Sequence, residues 1–158
     1  MKYIKILICA LFVFVHSGEI LYSKEKECIF CKIIQGKQKA HIIWESATHV
    51  AFLDINPNTR GATIVIPKQH LDSYFVTLPP EEVIKLITAA QDVSKILDKK
   101  LKADRTGLIF LGLSVPHMHA KLYPVHNPGK AEKVIISTQR GQRANDKELE
   151  TLARFLRE

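Results

Sequence analysis

Gly112-Leu113-Ser114-Val115-Pro116-His117-Met118-His119-Ala120-Lys121-Leu122-Tyr123-Pro124-Val125-His126 is the stretch on which the reading of this chain turns. From His117 to Leu122, polar and apolar residues alternate without a break. A strand sends side chains two apart to one face. His117, His119 and Lys121 then share a face, while Met118, Ala120 and Leu122 point into a core. The pattern predicts a strand over His117–Tyr123, preceded by a loop, Gly112–Pro116, whose glycine lets backbone approach a ligand closely. One histidine beside an apolar run is usually a satisfied structural residue. Two in strand register, extended by a lysine and preceded by Gly-x-Ser-x-Pro, point to a site.

Upstream of this stretch, Gly107–Leu111 reads as a fourth strand. Earlier still, His41–Glu45 and Val50–Ile55 are rich in Ile, Val, Trp and Phe and read as two strands joined by a polar turn at Ser46–His49. Asn56–Gly61 is a loop by composition. Ala62–Ile66 is nearly all apolar, which suits a central strand. Three strands in succession favour an antiparallel meander over alternating β-α-β units. Between the third and fourth strands, Thr77–Glu82 carries prolines and acidic residues suited to a helix start. The helix runs to about Lys99, with Val83, Leu86, Ile87, Ala90, Val93, Leu97 and Leu101 as its buried stripe. Lys95, Lys99 and Lys100 complement its C-terminal dipole. Downstream, Val134–Ser137 reads as a short strand. Asn145 or Asp146 caps a last amphipathic helix, Lys147–Arg157, with Leu149, Leu152, Ala153 and Leu156 on one side. The fold class is α+β.

The 158 residues, 46% hydrophobic and 25% charged, fit one globular domain with a sizeable core. The net charge of +7 is uneven. Between Lys121 and Arg143 the basic residues Lys121, Lys130, Lys133, Arg140 and Arg143 face Glu132 alone. That balance suits an anionic substrate and equally a solvated surface. Sparse aromatics there argue against a stacking platform for nucleic acid. Met1–Ser17 has the layout of a secretory signal: Lys2 and Lys5, then an apolar run from Ile6 to Val15, then His16, Ser17, Gly18 and Glu19. The run is too short for a membrane span of about 20 residues. Residues 1–27 are therefore set apart as a signal-like or anchor segment, and 28–158 as the folded domain. Export or membrane anchoring is expected, or a cytoplasmic location if translation begins further along.

A neutral imidazole is a nucleophile near neutral pH and can attack phosphorus to form a covalent phospho-histidine. His119 is flanked on its own face by His117 and Lys121, with the Ser114 hydroxyl on the preceding loop. That set suits phosphoryl or nucleotidyl transfer. Peptide hydrolysis would call for G-x-S-x-G or H-E-x-x-H, and neither is present. A second constellation joins Cys28, Cys31, His70 and one of the strand histidines. Two thiolates and two imidazoles make a closed tetrahedral zinc set; a redox pair or a chance C-x-x-C are the alternatives. Cys9 leaves the cysteine count odd, which is no disulfide framework. His41, His49 and His126 read as surface or loop residues, and Asp54 as a turn-former.

Four marks occur in order: C-I-F-C-K-I-I-Q-G from Cys28, A-F-L-D-I-N-P from Ala51, T-I-V-I-P-K-Q-H from Thr63, and V-P-H-M-H from Val115. Together they resemble the histidine-triad (HIT) family over residues 28 to about 126. The resemblance implies a HIT-like fold: an antiparallel sheet of about five strands, one long helix and a C-terminal helix, usually as a homodimer. It implies hydrolysis or transfer at the α-phosphate of nucleoside phosphoramidates, dinucleoside polyphosphates or related conjugates. By position, His119 resembles the family's nucleophile and His117 the first triad histidine. In zinc-bearing relatives the position of His117, together with those of Cys28, Cys31 and His70, ligates the metal. Asp54 matches the acid that holds the ribose hydroxyls, and Ser114 a phosphate-contacting hydroxyl. The chain departs from the pattern at Lys121, in place of the third histidine, at Leu113, in place of glutamine, and at Ala62, where many members carry a histidine. Those departures keep open a second reading, a non-catalytic nucleotide-binding zinc module. No nucleic-acid partner is expected, and membrane contact only through the N-terminal segment.

Overall fold

The computed structural model describes residues 28–126 and 141–157. Within them lie α1 (Ile29–Ile34), β1 (Ile42–Glu45), β2 (His49–Leu53), β3 (Thr63–Pro67), a 3-10 turn (Phe75–Thr77), α2 (Pro80–Leu101), β4 (Arg105–Ile109), β5 (Ala120–Val125) and α3 (Asp146–Arg157). The strands form one antiparallel sheet in the order β1-β2-β3-β5-β4. The expected meander is therefore present in β1–β3. β5 returns to pair with β3, leaving β4 at an edge.

β2 and β3 are buried along their whole length because the sheet is covered on both faces. On one face Ala51, Leu53, Val65, Met118, Ala120 and Leu122 pack against Leu86, Val93 and Leu97 of α2 and Leu149, Ala153 and Leu156 of α3. On the other, Val50, Phe52, Ile64 and Ile66 meet Cys28, Phe30, Cys31 and Ile33. The period-two pattern thus separates a broad core beneath two helices from a smaller layer roofed by one short helix.

α2 begins at Pro80 behind Pro79, carries Glu81 and Glu82 in its first turn, and ends where Lys102 turns left-handed at φ 54°. One member of the predicted stripe is misplaced. Ile87 is 40% exposed, and Ala89, absent from the prediction, is buried instead. α3 starts at Asp146 and is capped by Asn145, whose Oδ1 accepts the backbone N–H of Lys147 at 2.9 Å.

Two histidines expected on the surface lie inside. His41 is buried under α3, with Nε2 3.0 Å from Asp146 and Nδ1 3.2 Å from Glu150. Lys39 also pairs with Asp146, at 2.8 Å. The end of β1 is thereby tied to the C-terminal helix. His49 is part of β2 rather than of the preceding turn, and burial lowers its pKa. Most other strand boundaries move by one or two residues, β3 by one and β4 by two at each end, while β5 starts three residues late. Val134–Ser137 and the signal-like segment lie outside the described residues. Among the described residues no helix is long and apolar enough to cross a membrane.

Candidate functional site

The predicted strand at His117 begins only at Ala120. His117, Met118 and His119 precede it as extended backbone held by its neighbours: Met118 N–H donates to Leu71 O at 2.7 Å, and His117 N–H to Val115 O at 2.8 Å. The alternation survives without the ladder. Met118 enters the broad core, and both histidines turn to the face roofed by α1.

On that face the predicted residues divide into two groups. His117 joins Cys28, Cys31 and His70, whose ligand atoms all lie within 4.8 Å of one another. Cys28 precedes α1 and Cys31 sits in its first turn, so the helical repeat puts both thiols on one side. Cys31 Sγ is 3.2 Å from His70 Nδ1; His117 Nδ1 is 3.5 Å from Cys28 Sγ and 3.6 Å from Cys31 Sγ. His117 Nε2–H donates to the Pro67 carbonyl at 2.9 Å, which leaves the Nδ1 lone pair facing the thiols. Burial lowers the His117 pKa to about 4, against the pull of that carbonyl, with His70 and His119 lowering it further. Two sulfurs and two imidazole nitrogens converging in a largely buried space are a donor set that fits a tetrahedral soft metal.

His119 stands on the other side of this group. Its Nδ1–H donates to the His117 carbonyl at 2.7 Å, so Nε2 is the nitrogen with a free lone pair. Its ring meets the edge of Phe30, centroids 5.4 Å apart. Burial lowers its pKa; the His117 carbonyl opposes this, Lys121 adds to it and Asp54 offsets it. The side chain is almost wholly enclosed, yet it lines a cavity of about 330 Å³. Asp54, Asn56, Ser114 and Lys121 supply polar lining, and Phe30, Ile33, Phe52 and Ile64 an apolar end.

Lys121 is in that cavity, as its register with His119 requires, and is ion-paired: Nζ lies 3.0 Å from Asp54 Oδ2. Asp54 Oδ1 accepts the Asn56 N–H at 2.9 Å. Asp54 thus closes a turn and also lines the cavity. Phe30, Asn56 and Lys39, which also line the cavity, were not singled out from the sequence. The C-I-F-C spacing does not mark Phe30, since Ile29, equally between the two thiols, is exposed. A larger cavity of about 950 Å³, between α3 and the end of α2, touches Asp54 but neither triad histidine.

Gly112, ahead of the histidines, has φ +64°, and a Cβ there would lie 2.4 Å from the Ser73 carbonyl oxygen. Ser73 Oγ–H also donates to Gly112 O at 2.7 Å. Gly112→Ala is expected to cost about 1–3 kcal/mol, measured by urea denaturation, through backbone strain and displacement of the loop that carries Ser114.

The sequence model of the HIT domain matches residues 35–127. An uncharacterized HIT-like protein of Methanocaldococcus jannaschii is 36% identical over 102 residues, covering 61% of this chain and 78% of that one. The adenosine 5'-monophosphoramidase HNT1 of Saccharomyces cerevisiae is 32% identical over 102 residues, 61% of each chain. Among solved structures, a zinc-bound histidine triad family protein from Mycobacterium smegmatis aligns with TM-score 0.67 and 28% identity, over 84% of this chain and 92% of that one. The HIT model spans more than half of the chain, and the chain belongs to the HIT domain family.

Proposed function

We propose that this protein cleaves nucleotides at the α-phosphate, of the kind found in nucleoside phosphoramidates and dinucleoside polyphosphates, through a covalent nucleotidyl-histidine at His119. The observation that carries the reading is the hydrogen bond from His119 Nδ1–H to the His117 carbonyl, which leaves Nε2 as the free nucleophile in a residue lining the cavity. The apolar end of the cavity suits a nucleobase, with Phe30 and Phe52 as flat surfaces. Asp54 accepts ribose hydroxyls on its remaining lone pairs, and the Ser114 hydroxyl and Lys121 ammonium meet phosphate oxygens. His117 orients His119 through its carbonyl and, with Cys28, Cys31 and His70, would hold a structural zinc ion. The metal would supply cross-linking, locking the loop after β3 to α1 and to the His117 backbone. The phosphoramidase activity in the name of the yeast relative and the zinc-bound neighbour support this reading.

A homodimer fits the same picture. β4 is a sheet edge, and Tyr74, Phe75, Val76, Leu108, Leu111 and Leu113 expose apolar surface. No nucleic-acid partner is proposed, and the location follows from the signal-like segment: exported or anchored. A non-catalytic nucleotide-binding module is the second reading, favoured by the ion pair that engages both Lys121 and Asp54 within the cavity.

The test is acid-quenched mass spectrometry during turnover of adenosine 5'-phosphoramidate or a diadenosine polyphosphate. A peptide containing His119 should gain the mass of an adenylyl group. Nucleotide binding without that gain selects the binding module.

A further inference from the structure

We propose that Lys121 and Asp54 set the leaving-group class: the site cleaves phosphoric anhydrides, whose leaving group departs as a stable oxyanion, in preference to phosphoramidates, whose amine departs only with a proton. The inference rests on the function proposed above and concerns the other half of the substrate. Apart from His119 itself, the polar side chains lining the cavity are Asp54, Asn56, Ser114, Gln38, Lys39 and Lys121. Among the described residues no second imidazole lines the cavity, because His117 faces the thiols and His70 lies with it. His119 is spent in the first step, since its Nε2 becomes bonded to phosphorus.

What remains beside the reacting centre is positive charge. Lys121 Nζ is anchored on Asp54 Oδ2 at 3.0 Å, and Asp54 is itself fixed by the Asn56 N–H at 2.9 Å. An ammonium has three donors, so one bond to Asp54 leaves two for the substrate. An ammonium is a weaker general acid than an imidazolium, so here it serves as a charge rather than as a proton source. Fixed charge stabilises an oxyanion as it develops, in a partly enclosed site where such interactions are strong.

The bond changes follow. The His119 Nε2 lone pair forms the bond to the α-phosphorus. The bond from phosphorus to the bridging oxygen breaks, and its electron pair leaves on that oxygen, stabilised by Lys121 with no proton required. Water then bonds to phosphorus, the phosphorus–nitrogen pair returns to His119, and the surplus water proton passes to solvent. With a phosphoramidate, the first step would have to expel an amide anion or find a proton, and among the described residues the lining provides no second imidazole to give one. General-acid help of this kind is worth about 10² to 10⁴ in rate.

The experiment compares kcat/KM for diadenosine tetraphosphate and for adenosine 5'-phosphoramidate in the wild type, Lys121→His and Lys121→Arg. The wild type should favour the anhydride by roughly a hundredfold. Lys121→His, which restores a proton-sharing group, should raise phosphoramidate cleavage at least about tenfold, while Lys121→Arg, which keeps the charge, should retain the anhydride preference. Equal or better wild-type cleavage of the phosphoramidate overturns the proposal, as does an unchanged ratio in Lys121→His. Adenylyl-His119 formed from either probe in the wild type keeps the nucleotidyl-histidine reading standing in those cases. Neither product nor adduct from either probe removes both.

Discussion

His119→Ala is expected to lower kcat at least about a thousandfold while leaving the circular dichroism spectrum and thermal midpoint close to those of the wild type. The effect on rate is large because in the proposed mechanism the imidazole supplies the nucleophile, and covalent catalysis disappears with it. The effect on fold is small because the ring contributes one hydrogen bond, to the His117 carbonyl, and an edge contact with Phe30. Its removal opens space toward an existing cavity instead of a void in the broad core. Measuring release of nucleoside monophosphate in single turnover separates chemistry from product release. Wild-type release in this variant would take His119 out of the mechanism.

The second large effect concerns the four-residue donor set. Stripping the proposed zinc from zinc-loaded protein with a chelator, or replacing Cys31 by Ser, is expected to lower the thermal midpoint by on the order of 10 °C. Cys31 is central to the set, within hydrogen-bonding range of both His70 and His117. The metal-free protein should also be acid-sensitive, with a sign that follows from His117. In the folded chain burial keeps its ring neutral down to about pH 4. In the unfolded chain the ring gains its proton near pH 6.5. Between those values the unfolded state binds more protons, so falling pH favours unfolding. The contribution is intact above about pH 6.5 and lost progressively toward pH 4, a span worth on the order of 3 kcal/mol. His119, lowered by the same burial, adds in the same direction. Urea denaturation of the stripped protein at pH 7.5 and pH 5 checks it; greater stability at pH 5 would refute the assignment of a buried neutral His117.

Much of this was legible because it is local or periodic. The alternation from His117 to Leu122 put Met118, Ala120 and Leu122 in the core even though the ladder starts only at Ala120. The long helix was legible from its prolines, acidic first turn and basic end. Its stripe was wrong at Ile87 because periodicity identifies a face and not its edges: the adjoining position of Ala89 is covered, and Ile87 is not. Spacing alone does not place His41 against Asp146 and Glu150, more than 100 positions away, because only the docking of α3 brings them together. The Lys121–Asp54 ion pair has the same origin. β5 and the end of β2 are separated by β3, and the pairing of Lys121 with Ile64 fixes the distance the side chain must span.

The donor set also constrains how the chain reaches its native state during synthesis. Cys28 and Cys31 emerge from the ribosome first and His70 follows, but His117 is added some 86 positions after Cys31. Until then the nascent protein presents two bare thiols and one imidazole without their last companion, open to oxidants and to capture of the wrong ion. Because Phe30 of α1 also packs on the His119 ring, closing that long loop brings the donor set and the cavity lining together in the same event. The last donor and the last part of the cavity lining thus arrive with one segment of chain, residues 114–121.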